Sequence, residues 1–79
     1  MSYGYSQRIV EANRSAPEDL LGVALGRVCI TKDVPVTRVA ETIGVSRETI
    51  YNWFSGIYEP HPSLHLAINE FISYLNKRK

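Results

Sequence analysis

The fold is decided by residues 36–55, which read VTRVAETIGVSRETIYNWFS. On each side of Gly44, apolar residues recur every three or four positions, which is the spacing of one face of an α-helix. Glycine readily adopts the left-handed conformation that ends a helix, and a serine such as Ser46 favours the start of the next one. The stretch therefore predicts two short helices, about 35–43 and 46–55, joined by a tight turn.

The apolar side chains of this stretch are spaced so that the two helices can cross closely. Ala40 is small where the second helix would press on the first, and Gly44 permits the sharp turn. Because Trp53 and Phe54 fall on the buried face, they are predicted as core residues rather than as a stacking platform. The residues that fill the wedge between the helices are Val39, Ile43, Val45, Ile50 and Trp53. This is the spacing of a helix-turn-helix.

The residues before this stretch predict two further helices. Residues 5–13 are predicted to form a short first helix. A second helix starts at Ser15, which can cap it together with Glu18 three positions on, and ends near Thr31. Asp33 is then the predicted cap of the third helix. The buried face of the second helix carries Leu21, Ala24, Leu25, Val28 and Cys29.

The residues after it predict an extended connection and a closing helix. Pro60 and Pro62 lie in the segment 56–63 and disfavour helix there. The last helix, 63–77, has an unbroken apolar stripe of Leu64, Ala67, Ile68, Phe71, Ile72 and Leu75. No segment of the sequence alternates between apolar and polar residues as a strand does. The fold class is therefore predicted as all-α, a compact bundle of four to five helices.

The length and composition are those of one ordinary folded domain. The 79 residues divide into an N-terminal extension or short helix (1–14), the helix-turn-helix (36–55) and the closing helix (63–77). Hydrophobic residues make up 44% of the chain and charged residues 22%. Nine Lys and Arg against eight Asp and Glu give a formal charge of +1. This charge neither indicates nor excludes a nucleic-acid partner.

Other classes of protein are disfavoured by what the sequence lacks. Cys29 is the single cysteine, so it is predicted to be a small buried residue and not part of a disulfide within the chain. No apolar run approaches a membrane span and no signal peptide begins the sequence, so a cytoplasmic location is expected. His61 and His65 are four residues apart, but Pro62 intervenes and no third ligand is near, so no metal site is expected.

Enzymatic activity is not expected either. The sequence has no glycine-rich phosphate loop, no cluster of carboxylates and no nucleophile with a nearby base. We therefore expect no cofactor and no small-molecule ligand.

Across residues 17–76, the chain resembles the Cro and phage-repressor (XRE-type) helix-turn-helix family. The likeness is strongest over residues 44–53, GVSRETIYNW, which are similar to that family's recognition helix. The resemblance implies a lambda-repressor-like domain that places helix 46–55 in the major groove of double-stranded DNA, commonly as a homodimer. It also implies a small transcriptional regulator, more readily a repressor, in the cytoplasm of a bacterial cell or of a phage-infected host.

The resemblance carries functional roles onto particular positions. The base-reading positions fall on Arg47, Glu48 and Asn52. Their chemistry is suitable, because Arg can bind guanine O6 and N7, Asn can bind adenine N6 and N7, and Glu can accept from cytosine N4. Contacts to the DNA backbone, or support for the base-reading residues, are implied for Thr37, Arg38, Ser46, Tyr51 and Ser55.

The chain departs from the family pattern in two places. Pro35 and Val36 stand where the second helix of the family usually begins with a Ser or Thr cap and a polar residue. The loop after the recognition helix is often basic, yet residues 58–61 read YEPH. Fewer phosphates are then neutralised, so we expect modest affinity for one subunit, increased by pairing or by a partner. Leu66 and Tyr74 lie off the main stripe of the last helix, where they are either single exposed apolar residues or part of a dimer seam.

A second function fits the same surface. A protein-interaction adaptor or inhibitor would use the helix-turn-helix against a host protein, and the near-neutral charge and the acidic loop favour it. Glu48 also has two interpretations, since an acidic residue in the first turn of a helix interacts favourably with the helix dipole without touching a base.

Overall fold

Five α-helices make up the described part of the chain, residues 5–77 of this computed structural model. The same residues contain no strand, so the predicted all-α class is confirmed. The first four residues of the predicted extension 1–14 lie outside the described range. The helices are α1 (Gln7–Ser15), α2 (Leu21–Thr31), α3 (Val36–Ile43), α4 (Arg47–Phe54) and α5 (His65–Lys77), the last preceded by a 3-10 turn, Pro62–Leu64.

The core lies around α2, which packs against α1, α4 and α5. Cys29 is fully buried in it, as predicted. Burial raises the pKa of the Cys29 thiol to about 12, so the thiol is neutral at physiological pH. The largest fully buried side chains are Phe54, Leu25, Ile50, Ile68, Leu75, Val23 and Val39.

Two glycines allow α4 to approach α2 very closely. A Cβ atom added to Gly22 would lie 2.7 Å from the Cβ of Trp53 and 2.9 Å from its carbonyl oxygen. A Cβ added to Gly26 would lie 2.7 Å from Cγ of Phe54 and 2.6 Å from Nδ2 of Asn13. Any larger residue would force the helices apart, so these two positions set the distance of α4 from the core.

Helix α1 begins two residues later than predicted and is joined to the body by two buried hydrogen-bonding groups. Ser6 caps it by accepting a hydrogen bond from Ile9 N at 3.3 Å. The Tyr5 hydroxyl donates to the carbonyl of Val34 at 2.5 Å. The side-chain amide of Asn13 donates to the carbonyls of Val23 and Phe54, at 3.1 and 2.8 Å. Burial, as the main cause, raises the pKa of the Tyr5 hydroxyl above its usual range.

The predicted start of the second helix is wrong. Ser15 is the last residue of α1, and α2 begins six residues later, after Leu20, which makes no side-chain capping bond. Glu18 does not complete a capping box but pairs with Arg27. Arg27 also donates to the carbonyls of Asn13 and Arg14, at 3.1 and 3.4 Å. Tertiary contacts from α2 therefore hold this connection in place of a local cap.

Asp33 is not the cap of α3, as the sequence predicted; it ends α2. Its φ of 54° is left-handed, a conformation that Asp tolerates better than most residues. Asp33 N donates to Ile30 O at 3.3 Å and Val34 N to Cys29 O at 2.9 Å, the two bonds of a Schellman motif. Helix α3 instead follows Pro35, which provides no side-chain cap.

The C-terminal part follows the prediction closely. Gly56 is left-handed with φ 78°, and the chain is irregular from there to His61. The closing helix was predicted over 63–77, and its α-helical part begins at His65. Within residues 5–77, no helix is long and apolar enough to cross a membrane. The apolar stripe predicted for the closing helix faces the core. Ile68, Phe71 and Leu75 are buried, and Leu64, Ala67 and Ile72 are half-buried.

Candidate nucleic-acid interface

The connection between α3 and α4 is only three residues long, from Gly44 to Ser46. Gly44 has a φ of 90°, and its N–H and that of Val45 both donate to the carbonyl of Ala40, at 2.8 and 3.0 Å. The side-chain oxygen of Ser46 accepts from Thr49 N at 3.2 Å. The left-handed glycine and the serine cap are therefore both present where the sequence predicted them.

One face of α4 is sealed against the rest of the molecule. Ile50 and Phe54 are fully buried and Trp53 is nearly so. Val39 and Ala40 of α3 are buried beside them, while Ile43 and Val45 are half-buried and packed on the same core. The predicted wedge residues thus all contribute to the contact between these helices and the core.

The opposite face of α4 is polar and open to solvent. Arg47 and Glu48 are exposed, Tyr51 is 40% exposed and Asn52 is half-buried. The backbone carbonyl of Asn52 accepts from Ile57 N at 3.0 Å, so its main chain is tied to the loop that follows. With eight residues, α4 is about 12 Å long. A helix of this length presents its polar face as a compact ridge.

Thr37 and Arg47 lie together, but Arg38 does not join them. Thr37, Glu41 and Arg47 line a shallow groove of about 410 Å³ across the turn. Arg38 lines a different groove, between α3 and α5, together with Glu70 and Tyr74. Of the two supporting residues predicted on α3, only Thr37 is therefore beside a base-reading candidate.

The two predicted supporting serines have intramolecular partners for their hydroxyl groups. The Ser46 hydroxyl contacts the Thr49 hydroxyl at 2.9 Å, in addition to its capping bond. The half-buried Ser55 donates to the carbonyl of Tyr51 at 2.9 Å. Both hydroxyls already form hydrogen bonds at the ends of α4, so each has less hydrogen-bonding capacity left for a ligand.

Residues on α1 also border α4, which the sequence did not reveal. Ser6, Arg8 and Ile9 line a groove with Tyr51 and Ser55. Asn13 reaches the last carbonyl of α4 from the same helix. No local spacing pattern signals these contacts, because they join residues about forty positions apart in the chain.

The two histidines that were considered as metal ligands have separate partners. His61 Nδ1 bonds with the Ser63 hydroxyl at 2.8 Å, and His65 Nε2 bonds with the carbonyl of Pro60 at 3.2 Å. In the part of the chain that the structure describes, no three His, Cys, Asp or Glu residues are grouped so that they could hold a metal ion.

Comparisons with known proteins do not place the chain in a family. No protein-family profile, curated protein sequence or solved structure matches it.

Proposed function

We propose that this protein is a sequence-specific, double-stranded DNA-binding transcriptional regulator in which α3, the turn and α4 act as a helix-turn-helix. The observation that carries the proposal is the division of α4 into two faces. Ile50 and Trp53 are sealed in the core, while Arg47 and Glu48 are open to solvent on the same short helix. The major groove of B-DNA is about 12 Å wide and accepts a helix presented in this way.

In this proposal, three side chains of α4 read base edges. Arg47 has the fork of donors that matches guanine, and Glu48 accepts from cytosine. Asn52, which pairs best with adenine, is half-buried on the same face of α4 as Glu48. Arg47 and Asn52 lie five positions apart on α4, a rise of about 7.5 Å, so they would contact different base pairs of the site.

Phosphate contacts come from the residues around this helix. Thr37 supports binding best among the predicted residues, because it shares a groove with Arg47 and lies in the first turn of α3, where backbone N–H groups attract phosphate. Tyr51 of α4 is 40% exposed and carries a hydroxyl that can donate to a phosphate. Arg38 faces the α5 side, and its contribution to DNA binding is expected to be small.

As a regulator, the domain acts by occluding a promoter in the cytoplasm of a bacterial cell or a phage-infected host. A homodimer on a two-fold site would increase its affinity. The proposed seam is the outer face of α5, where Leu66 is 71% exposed and Tyr74 49%. Sedimentation of the free protein over a range of concentrations tests this pairing, and Leu66→Glu should keep the protein monomeric.

Selection from a random duplex library, followed by salt titration, tests the proposal. An enriched motif is expected, and affinity for it should fall steeply as salt increases. Arg47→Ala should weaken discrimination at one base pair, whereas Arg14→Ala, which removes an exposed charge from α1, should not. If the protein binds no duplex at low salt, the proposal is wrong.

An adaptor or inhibitor of a host protein is the second candidate. Ile57 and Tyr58, directly after α4, are each 64% exposed, and apolar side chains of this kind suit a protein partner better than DNA. The same titration separates the candidates. Absence of duplex binding at low salt favours the adaptor, and Tyr58→Ala would then weaken capture of the partner.

A further inference from the structure

We propose that Arg8 of α1 contacts a DNA phosphate that flanks the site bound by α4. This inference rests on the proposed DNA-binding function and extends it to a helix outside the family resemblance, which covers only residues 17–76. It concerns a groove between α1 and α4 with a volume of about 590 Å³.

The position of α1 beside α4 is determined by buried contacts. Asn13 is 3% exposed, and its amide binds the carbonyl of Phe54, the last residue of α4. At the other end of α1, the Tyr5 hydroxyl is bound to Val34. If α1 moved relative to α4, the buried amide would lose these partners and the fold would be destabilised. The position of α1 relative to α4 is therefore fixed. Arg8 therefore sits at a defined place relative to the polar face of α4.

The charge in this groove favours an anion. Arg8 is exposed, and it is the only charged side chain among the described residues that line the groove. Arg27 pairs with Glu18, and Arg8 itself forms no ion pair with a carboxylate of residues 5–77. Its neighbours in the groove include Tyr51 and Ser55 of α4. Arg and Tyr side chains are common donors to phosphate.

The location fits the backbone of a bound duplex. Arg47 lies at the N-terminal end of α4, while Tyr51, Ser55 and the adjoining Arg8 lie toward its C-terminal end. A helix of about 12 Å that lies in the major groove has a phosphate backbone beyond each side of the groove. Arg8 would then place a cation on the side opposite to Thr37. This cation replaces part of the positive charge missing from the acidic loop at 58–61.

The test compares Arg8→Ala with Arg14→Ala on the selected duplex. Both changes remove one exposed arginine from the same helix, but Arg14 lines another groove, with Val10 and Arg27 on the α2 side. Arg8→Ala should make the slope of log affinity against log salt less negative by about 0.9, and Arg14→Ala should leave it unchanged. Between 50 and 200 mM salt, the affinity loss of Arg8→Ala would be about 3-fold smaller than that of the wild type.

A modified duplex locates the contact. Uncharged methylphosphonate groups are placed one at a time along the site, and one flanking position should weaken the wild type but not Arg8→Ala. Arg8→Lys should retain the salt slope, and thermal unfolding should show that all variants are folded. Equal salt slopes for Arg8→Ala and the wild type would overturn this inference. The proposed DNA-binding function would still stand if Arg47→Ala weakened discrimination at one base pair. Absence of duplex binding by the wild type would overturn both, and binding of an apolar peptide in the groove would assign it to a protein partner instead.

Discussion

The two faces of α4 differ in what they contribute to the protein. The inner face, with Ile50, Trp53 and Phe54, is buried against α2, where glycine is the only residue that fits at two positions. The outer face, with Arg47 and Glu48, makes no such contacts and is open to solvent. Substitutions on the inner face should therefore change the free energy of unfolding, and those on the outer face should change only binding.

Phe54→Ala should have the largest effect on stability. The ring is fully buried, lies next to Gly26, and has its centroid 6.1 Å from that of Tyr5. Its removal should lower the free energy of unfolding by about 3–5 kcal/mol, measured by urea denaturation. Glu11→Ala, which truncates an exposed side chain on α1, should change it by less than about 0.5 kcal/mol. Similar losses for both would contradict the division into faces.

Gly22→Ala should be the next most destabilising change. The new Cβ would meet Trp53 backbone and side-chain atoms at 2.7–2.9 Å, which a rotamer change cannot relieve. Overpacking of this kind lowers stability by about 1–3 kcal/mol, although alanine favours helix more than glycine does. Calorimetry would measure the loss, and an increase in melting temperature would show that α4 can move away from α2.

Gly44→Val tests the turn that joins the two helices. Space is available around Gly44, since nothing lies within 4 Å of an added Cβ, so the strain comes from its φ of 90° alone. We expect a loss of about 1–2 kcal/mol in the free energy of unfolding. Gly44→Asn should lose less, because Asn tolerates the left-handed region. Equal losses for the two variants would argue against backbone strain as the cause.

Arg47→Ala should have the smallest effect on stability, within about 0.5 kcal/mol, because the side chain is exposed. Its effect should appear in binding, as a loss of about 1–3 kcal/mol of discrimination at one base pair in a competition assay. Arg47→Lys should retain the salt dependence but not the discrimination, since lysine lacks the planar fork of donors. Unchanged discrimination in both variants would show that Arg47 does not read a base.

Two serines that were predicted to cap helices, Ser46 and Ser15, differ in what they do in the structure. Ser46 caps α4 as predicted, because the residue and the N–H that it accepts from are only three positions apart. Ser15 has a similar sequence context but does not cap, because Arg27 of α2 binds Glu18 and the carbonyls at the end of α1. A local signal fails where distant residues bind the same groups.

The sequence by itself determined the helical class, the apolar stripes of α4 and α5, and the left-handed glycine of the turn. These depend on spacing and backbone preference within a few residues, which are visible in a single chain. Only the tertiary structure decided that Asn13 binds the end of α4, that Gly22 and Gly26 set its depth, and that Arg8 lies beside Tyr51. Those contacts join residues far apart in the chain, and their geometry arises when the helices pack together, so no short-range pattern encodes them.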